Sequence, residues 1–254
     1  HFNMQTRLAP TCGAKPMVLL SGLAVAVASM LWATPIMAQP AVSRPEGGTI
    51  RHKPRIVVTT DLGADPDDEQ SLVRLLVSAN EFDIEGLIVS TSCWKTNQTS
   101  TAMLDTILAA YAKVLPNLQV HAQGYPSYEY LESISVLGQP GYGMGHVGDG
   151  KDSKGSDLII AAVDKNDPRP VWVQFWGGGN NLAQAIWKVR ATRSPQDLAK
   201  FLSKLRVFDI LGQDDAGAWI AKNFPEVLFI RATAVYGWQP PKNGSYQRND
   251  IQSH

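Results

Sequence analysis

Between residues 55 and 230 the chain alternates, almost without interruption, between short β-branched runs and stretches whose apolar residues recur at helical spacing. That alternation limits the accessible folds more than any other feature. Arg55-Ile56-Val57-Val58-Thr59-Thr60 reads as a buried strand. Leu72, Leu75, Leu76 and Ala79 place a helix over 67–79. The pattern then predicts a strand over 84–91, a helix over 99–115 stopped by Pro116, and a short third strand over 118–122 carrying His121. Residues 124–155 are rich in glycine and lack periodicity, so they read as a long loop. Long loops inside compact domains are usually functional. Beyond it come a helix over 156–165, a strand over 170–176, a helix over 180–190 and another opened by Ser194-Pro195. A strand over 206–211, a helix over 216–223 and a strand over 227–230 complete the series. Strands alternating with helices imply an α/β fold: a Rossmann-like, mainly parallel sheet with helices on both faces. Such sheets bind ligands at the carboxyl ends of their strands. The functional reading therefore goes to residues 61–68, 90–94, 123–125, 177–181 and 212–215.

The formal charges of the 254 residues cancel, 23 Lys+Arg against 23 Asp+Glu. A chain that grips nucleic acid needs a basic excess, so that partner class is excluded. Ahead of the domain, Arg7 and Lys15 precede an uncharged run over 17–33, MVLLSGLAVAVASMLWA, and then the small-residue site Ile36-Met37-Ala38. This order predicts a signal peptide over 1–38 and a secreted or periplasmic product with no stable membrane anchor after cleavage. The alternative is an uncleaved anchor, for which the run is slightly short of the roughly 20 residues a span needs. Cleavage would remove two positive charges, leaving 21 against 23. It would also remove Cys12, leaving Cys93, expected to be a half-buried thiol with no disulfide partner. Residues 39–54 read as a linker, 55–232 as the domain and 233–254 as an atypical polar tail. The domain stops after a strand with no closing helix, which predicts a C-terminally truncated chain or a tail read in another frame.

The first strand runs into Thr59-Thr60-Asp61-Leu62-Gly63-Ala64-Asp65-Pro66-Asp67-Asp68-Glu69. Helix capping accounts for part of this: Asp65 suits the N-cap, Pro66 the first helical position, and Asp67 and Asp68 the positive end of the helix dipole. Capping leaves Asp61 unexplained. Carboxylates crowded at one strand end repel unless a proton or a cation offsets them. Hard divalent ions favour such oxygen clusters, Ca²⁺ with six to eight ligands. A phosphate-binding loop is excluded by the acidity and the missing Gly-Lys-Ser/Thr. An EF-hand is excluded because Pro66 and Leu72 stand where it needs Gly and Glu.

The cluster resembles the metal loop of nucleoside hydrolases, Asp-x-Asp-Pro-Gly-x-Asp-Asp followed four residues later by Leu. Asp61 matches the second Asp, Asp67-Asp68 the final pair, and Leu72 the Leu. Thr59 replaces the first Asp, and the loop is two residues longer. With Asn80-Glu81-Phe82-Asp83-Ile84-Glu85-Gly86-Leu87-Ile88, the variant resembles more particularly the nucleoside hydrolase-like domain of secreted bacterial "cellulose-binding" proteins, over about residues 55–232. Trp176-Gly177-Gly178-Gly179-Asn180-Asn181-Leu182-Ala183 is similar to a family segment that offers a backbone carbonyl to Ca²⁺, here from Asn180. Gln213-Asp214-Asp215-Ala216-Gly217 is similar to a block that, in nucleoside hydrolases, contacts sugar hydroxyls. Helix capping is the alternative for both segments.

The resemblance implies Ca²⁺ held by Asp61, Asp67, Asp68 and Asn180, with Asp61 or Asp67 taking the proton of an attacking water. It implies substrate contacts from Asn181, Asp214 and Asp215, with His146 of the glycine-rich loop in reach. Trp94, Tyr125, Tyr128 and Trp176 are candidates for stacking on a sugar or base. The expected activity is hydrolysis of N-glycosyl bonds; the rival is Ca²⁺-dependent glycan binding without turnover. Partners would be a small molecule or glycan, with a homo-oligomer left open. The family's later His-Asp pair has no counterpart in the chain.

Overall fold

A computed structural model of the chain describes residues 52–64, 66–98 and 100–232. The expected signal peptide, most of the linker, the tail and the proposed N-cap Asp65 lie outside the described residues. The elements run β1 (Arg55–Thr60), α1 (Pro66–Val77), β2 (Asp83–Val89), α2 (Ala102–His121), α3 (Tyr128–Ser133), β3 (Ser135–Leu137), α4 (Lys154–Asp164), β4 (Val171–Phe175), α5 (Asn180–Thr192), α6 (Pro195–Ser203), β5 (Leu205–Ile210), α7 (Ala216–Asn223) and β6 (Leu228–Ala232). The sheet order is β3-β2-β1-β4-β5-β6, and every pairing is parallel. The order reverses direction between β1 and β4, which makes that junction the switch point where α/β sheets open a ligand crevice.

Two apolar layers sandwich the first half of the sheet. Val57, Ile88, Val173, Phe175 and Val207 pack with α4, α5, α6 and α7 on one face. Ile56, Val58, Leu87 and Val89 pack with α1, α2 and α3 on the other. All six residues of β1 are buried, as a strand covered on both sides requires. β4 and β5 instead alternate buried and half-buried residues. Among the described residues, no helix is long and apolar enough to cross a membrane.

The strand expected over 118–122 is the end of α2, and Pro116 lies inside that helix. Leu104, Leu108 and Tyr111 are buried, and Leu115 and Leu118 continue the same stripe onto the core. That 4-3-4-3 spacing carries the helix past a proline whose own position is exposed. The third strand is Ser135–Leu137, inside the region read as loop. Residues 123–125 therefore do not follow a strand. They sit at the amino edge of the sheet, where Lys53 donates to the Gly124 carbonyl at 3.3 Å.

Candidate functional site

The carboxyl ends of β1, β2, β3, β4 and β5 converge around the switch point. Asp61, one residue past β1, is 1% exposed. Its Oδ2 accepts the Ser92 hydroxyl. The Ser92 oxygen already accepts the Trp94 and Lys95 N–H groups at 3.0 and 3.1 Å. Its single hydrogen is therefore committed to Asp61, which fixes that oxygen as an acceptor. Oδ1 of Asp61 is buried without a partner. Asp68, in the first turn of α1, is 6% exposed and accepts the Thr60 hydroxyl. Burial pushes the Asp68 carboxyl up to about 9, with the Asp61 charge adding to the effect. Burial likewise raises Asp61, opposed by the hydrogen bonds it accepts. Without a cation the pair keeps one proton between them.

Asp67 lies at the rim. It is exposed, and its Oδ1 accepts the Asp68 N–H at 3.0 Å. Thr59, in place of the signature's first Asp, is buried and donates to the Gly178 carbonyl at 3.1 Å, so it brings no charge. Across the switch point, the three glycines after β4 let the backbone close in. A Cβ on Gly177 would lie 2.7 Å from Ser90 Oγ and 3.1 Å from the Asp61 backbone. One on Gly178 would strike Asp214 Oδ2.

Asn180 is fully buried, its N–H bound to Asp214 Oδ2 at 3.1 Å and its Nδ2 donating to the Gly141 carbonyl at 2.8 Å. Its Oδ1 has no partner. Asn181 is also fully buried, and its Oδ1 accepts the Gln139 N–H at 2.8 Å. Asp214 accepts the Ala216 N–H at 3.0 Å as well, so it caps both α5 and α7. Burial raises its carboxyl to about 6. Asp215 is exposed and holds the Met144 N–H at 2.8 Å. Leu211 and Gly212, just before, both take positive φ, 68° and 70°, re-aiming the chain as it leaves β5.

His146 is exposed, with its ring against Gly141, whose carbonyl Asn180 holds. Tyr125 and Tyr128 pack beside the α1–α2 core, and their hydroxyls bind the Val77 carbonyl and Glu132. Their bonds lie within the fold. Trp176 packs partly into the same core. Trp94 is half-exposed beside Ser92. Cys93 is exposed rather than half-buried, because the segment after Ser92 turns outward.

Among the described residues, six buried side-chain atoms lack a hydrogen-bond partner: Asp61 Oδ1, Glu69 Oε2, Ser90 Oγ, Asn180 Oδ1, Asn181 Nδ2 and Gln213 Oε1. All six follow the carboxyl end of β1, β2, β4 or β5, and five are oxygens. Burying such atoms unpaired costs about 1–3 kcal/mol each. Four of the oxygens, on Asp61, Ser90, Asn180 and Gln213, lie just past strand ends, where something that donates hydrogen bonds or carries positive charge would meet them. No group of three His, Cys, Asp or Glu side chains converges as a metal cage among the described residues. The donor set fits a hard cation through two carboxylates, Asp61 and Asp68, plus neutral oxygens such as those of Asn180. Thr60, Ser90, Ser92 and Gln213 are the site residues to which sequence reading gave no role of their own. The strand-end rule named Ser90, Ser92 and Gln213 only as members of their segments.

The profile of the family described as "cellulose-binding Sde182, nucleoside hydrolase-like domain" matches residues 55–252, and so continues past β6 into the segment read as atypical. Among solved structures, one from Saccharophagus degradans is described as a nucleoside hydrolase-related hypothetical protein associated with carbohydrate metabolism. It is 63% identical and superposes with a TM-score of 0.73. The match covers 74% of this chain and 46% of that one, so this chain spans about half the length of that relative. No curated protein matches.

Proposed function

The chain belongs to the cellulose-binding Sde182, nucleoside hydrolase-like domain family, and from that membership together with the crevice we propose that it is an exported hydrolase of N-glycosyl, nucleoside-like bonds. The observation that carries this reading is the set of partnerless buried acceptor oxygens at strand ends beside the switch point: Asp61 Oδ1, Asn180 Oδ1 and Gln213 Oε1. Acceptors without donors suit the vicinal hydroxyls of a sugar and do not suit a phosphate. Ca²⁺ held by Asp61, Asp68 and Asn180 would supply positive charge that lowers the pKa of a water and orients those hydroxyls. Asp61, fixed by Ser92, takes the proton of a water that attacks the anomeric carbon as the bond to the base nitrogen breaks through an oxocarbenium-like transition state, and the departing base takes a proton from solvent. Asp68, braced by Thr60, sets the charge of the pair. Asp214 holds the Asn180 backbone in place at the start of α5.

One observation favours the second reading, Ca²⁺-dependent glycan binding without turnover. Thr59 spends its hydroxyl on the Gly178 carbonyl where the nucleoside hydrolase signature has a carboxylate. A panel of nucleosides and oligosaccharides, assayed with Ca²⁺ and with chelator, separates the two. Release of base that chelator abolishes supports the hydrolase. Saturable glycan binding with neither base nor reducing sugar released supports the binding protein and overturns the hydrolase.

A further inference from the structure

The amino edge of the sheet, opposite the crevice, carries a second concave surface. Two clefts open there among the described residues. One, of about 460 Å³, lies at the start of β2 and is walled by Phe82, Pro126 and Tyr130, with Lys53. The other, of about 360 Å³, lies between the end of α4 and α6, beside Arg193, Lys200 and Lys204. Lys165 and Asp167, in the turn between α4 and β4, line both clefts and divide them. Tyr130 is 41% exposed, and its hydroxyl donates to the Ile84 carbonyl at 2.8 Å. The ring is therefore held in place while part of it meets solvent. A fixed aromatic ring stacks on the C–H face of a sugar at little entropic cost.

Charge along this edge is balanced: Lys53, Lys165, Arg193, Lys200 and Lys204 meet as many carboxylates in the two linings. Most of those carboxylates are already paired. Lys165 holds Glu85 at 2.9 Å, Arg193 holds Asp164 at 2.6 Å, and Arg169 holds Asp83 and Asp167 at 2.7 and 2.6 Å. A balanced lining favours neither an anion nor a cation. Paired carboxylates still keep lone pairs for hydroxyl groups, and the ammonium groups keep N–H donors. Lys53 spends one donor on the Gly124 carbonyl at 3.3 Å, and Lys204 spends two on the Val163 and Lys165 carbonyls at 3.2 and 3.0 Å. We propose that this edge binds a linear, neutral glycan, with one unit stacked on Tyr130 and the next units laid past Lys165 toward Lys200. Two adjacent clefts with a shared divide suit successive units of a polymer better than one small molecule. The inference takes only the glycan partner class from the proposed function; the crevice and its cation play no part in it.

Calorimetric titration in chelator tests it, with cellohexaose, laminarihexaose, maltohexaose and the anionic hexagalacturonate as probes. Wild type should bind at least one neutral hexasaccharide, and more tightly than hexagalacturonate. Tyr130→Ala should weaken that binding about tenfold. Tyr130→Phe keeps the ring and Asp68→Asn alters only the crevice, so both should stay within about twofold of wild type. Hydroxyl-radical footprinting of wild type needs no variant: Tyr130 should oxidise readily alone and be protected several-fold by the bound sugar. The proposal is overturned if no neutral hexasaccharide binds, if hexagalacturonate binds more tightly, or if a folded Tyr130→Ala keeps wild-type affinity. Binding that needs Ca²⁺ or vanishes in Asp68→Asn also overturns it and moves the glycan to the crevice. So does Tyr130 oxidation unchanged by sugar, or Tyr130 protected in sugar-free wild type, since the chain itself then fills the cleft. Base release from nucleosides reports on the crevice alone, and Tyr130→Ala should leave it unchanged, so the two readings fail separately.

Discussion

In the proposed hydrolase the chemistry turns on Asp61 and Asp68, and each makes a separate prediction. Asp68 is raised from an ordinary 3.8 to about 9 in the fold, chiefly by burial. Between those values the folded state holds a proton that the unfolded chain has released. The contribution to stability is complete below about pH 4 and is lost as pH rises toward 9, so the metal-free protein should melt at progressively lower temperature across that window. Calorimetry in chelator at a series of pH values reads this directly, and an unchanged or rising melting temperature would contradict it. Asp61→Asn should lower turnover by about 10²–10⁴-fold, while the metal-free protein melts no lower than wild type, because one of two repelling groups is gone. Steady-state base release and a thermal melt on the same preparation check both halves. Gly178→Ala should cost about 1–3 kcal/mol in urea unfolding, since its Cβ would meet the Asp214 carboxylate and lie 2.8 Å from the Thr91 carbonyl.

At the scale of elements, β1 and β2 are tied at their amino ends by Arg55 and Glu85, 0% and 6% exposed. Arg55 Nη2 donates to Glu85 Oε2 at 3.0 Å. Glu85→Ala removes the nearer carboxylate from a buried guanidinium that keeps Asp167 at 3.7 Å and the Arg169 and Ala162 carbonyls, and should cost about 1.5–3 kcal/mol in urea unfolding. Pro116→Ala should act in the other direction, raising stability by up to about 3 kcal/mol, because α2 already runs through that position. The two strands flanking the switch point were legible because β1 is a β-branched run and β4 alternates apolar residues. β3 was not, since three residues, Ser135-Val136-Leu137, carry too little pattern, and its place was given to the end of α2. Periodicity continuing through Leu115 and Leu118 outweighed the local signal of Pro116. The acidic loop was legible because Asp61 lies outside what capping explains. The Ser92 and Thr60 hydroxyls were not, because their role depends on three-dimensional register between β1 and the segment after β2. Asp214 accepts the first N–H groups of α5 and α7, one on each oxygen.

The described residues form a six-stranded parallel sheet whose unpartnered buried polar atoms follow the carboxyl ends of its strands. Two apolar layers can hold such a sheet rigid, and rigidity lets buried oxygens stay unpaired until a ligand arrives. The cancelling charges of the full sequence conceal this. The acid that matters is a buried pair in a crevice, compensated by a shared proton or by a cation. Under the proposed function, mass action makes stability depend on that cation. At neutral pH, calcium should raise the melting temperature of wild type and leave that of Asp68→Asn nearly unmoved. The most direct measurement is calorimetric titration of Ca²⁺ into wild type and into Asp68→Asn at one pH. Wild type should bind with proton release, and the variant should bind more than about tenfold more weakly. Equal affinity in the two proteins, or no heat from wild type, would contradict a cation site built on the Asp61–Asp68 pair.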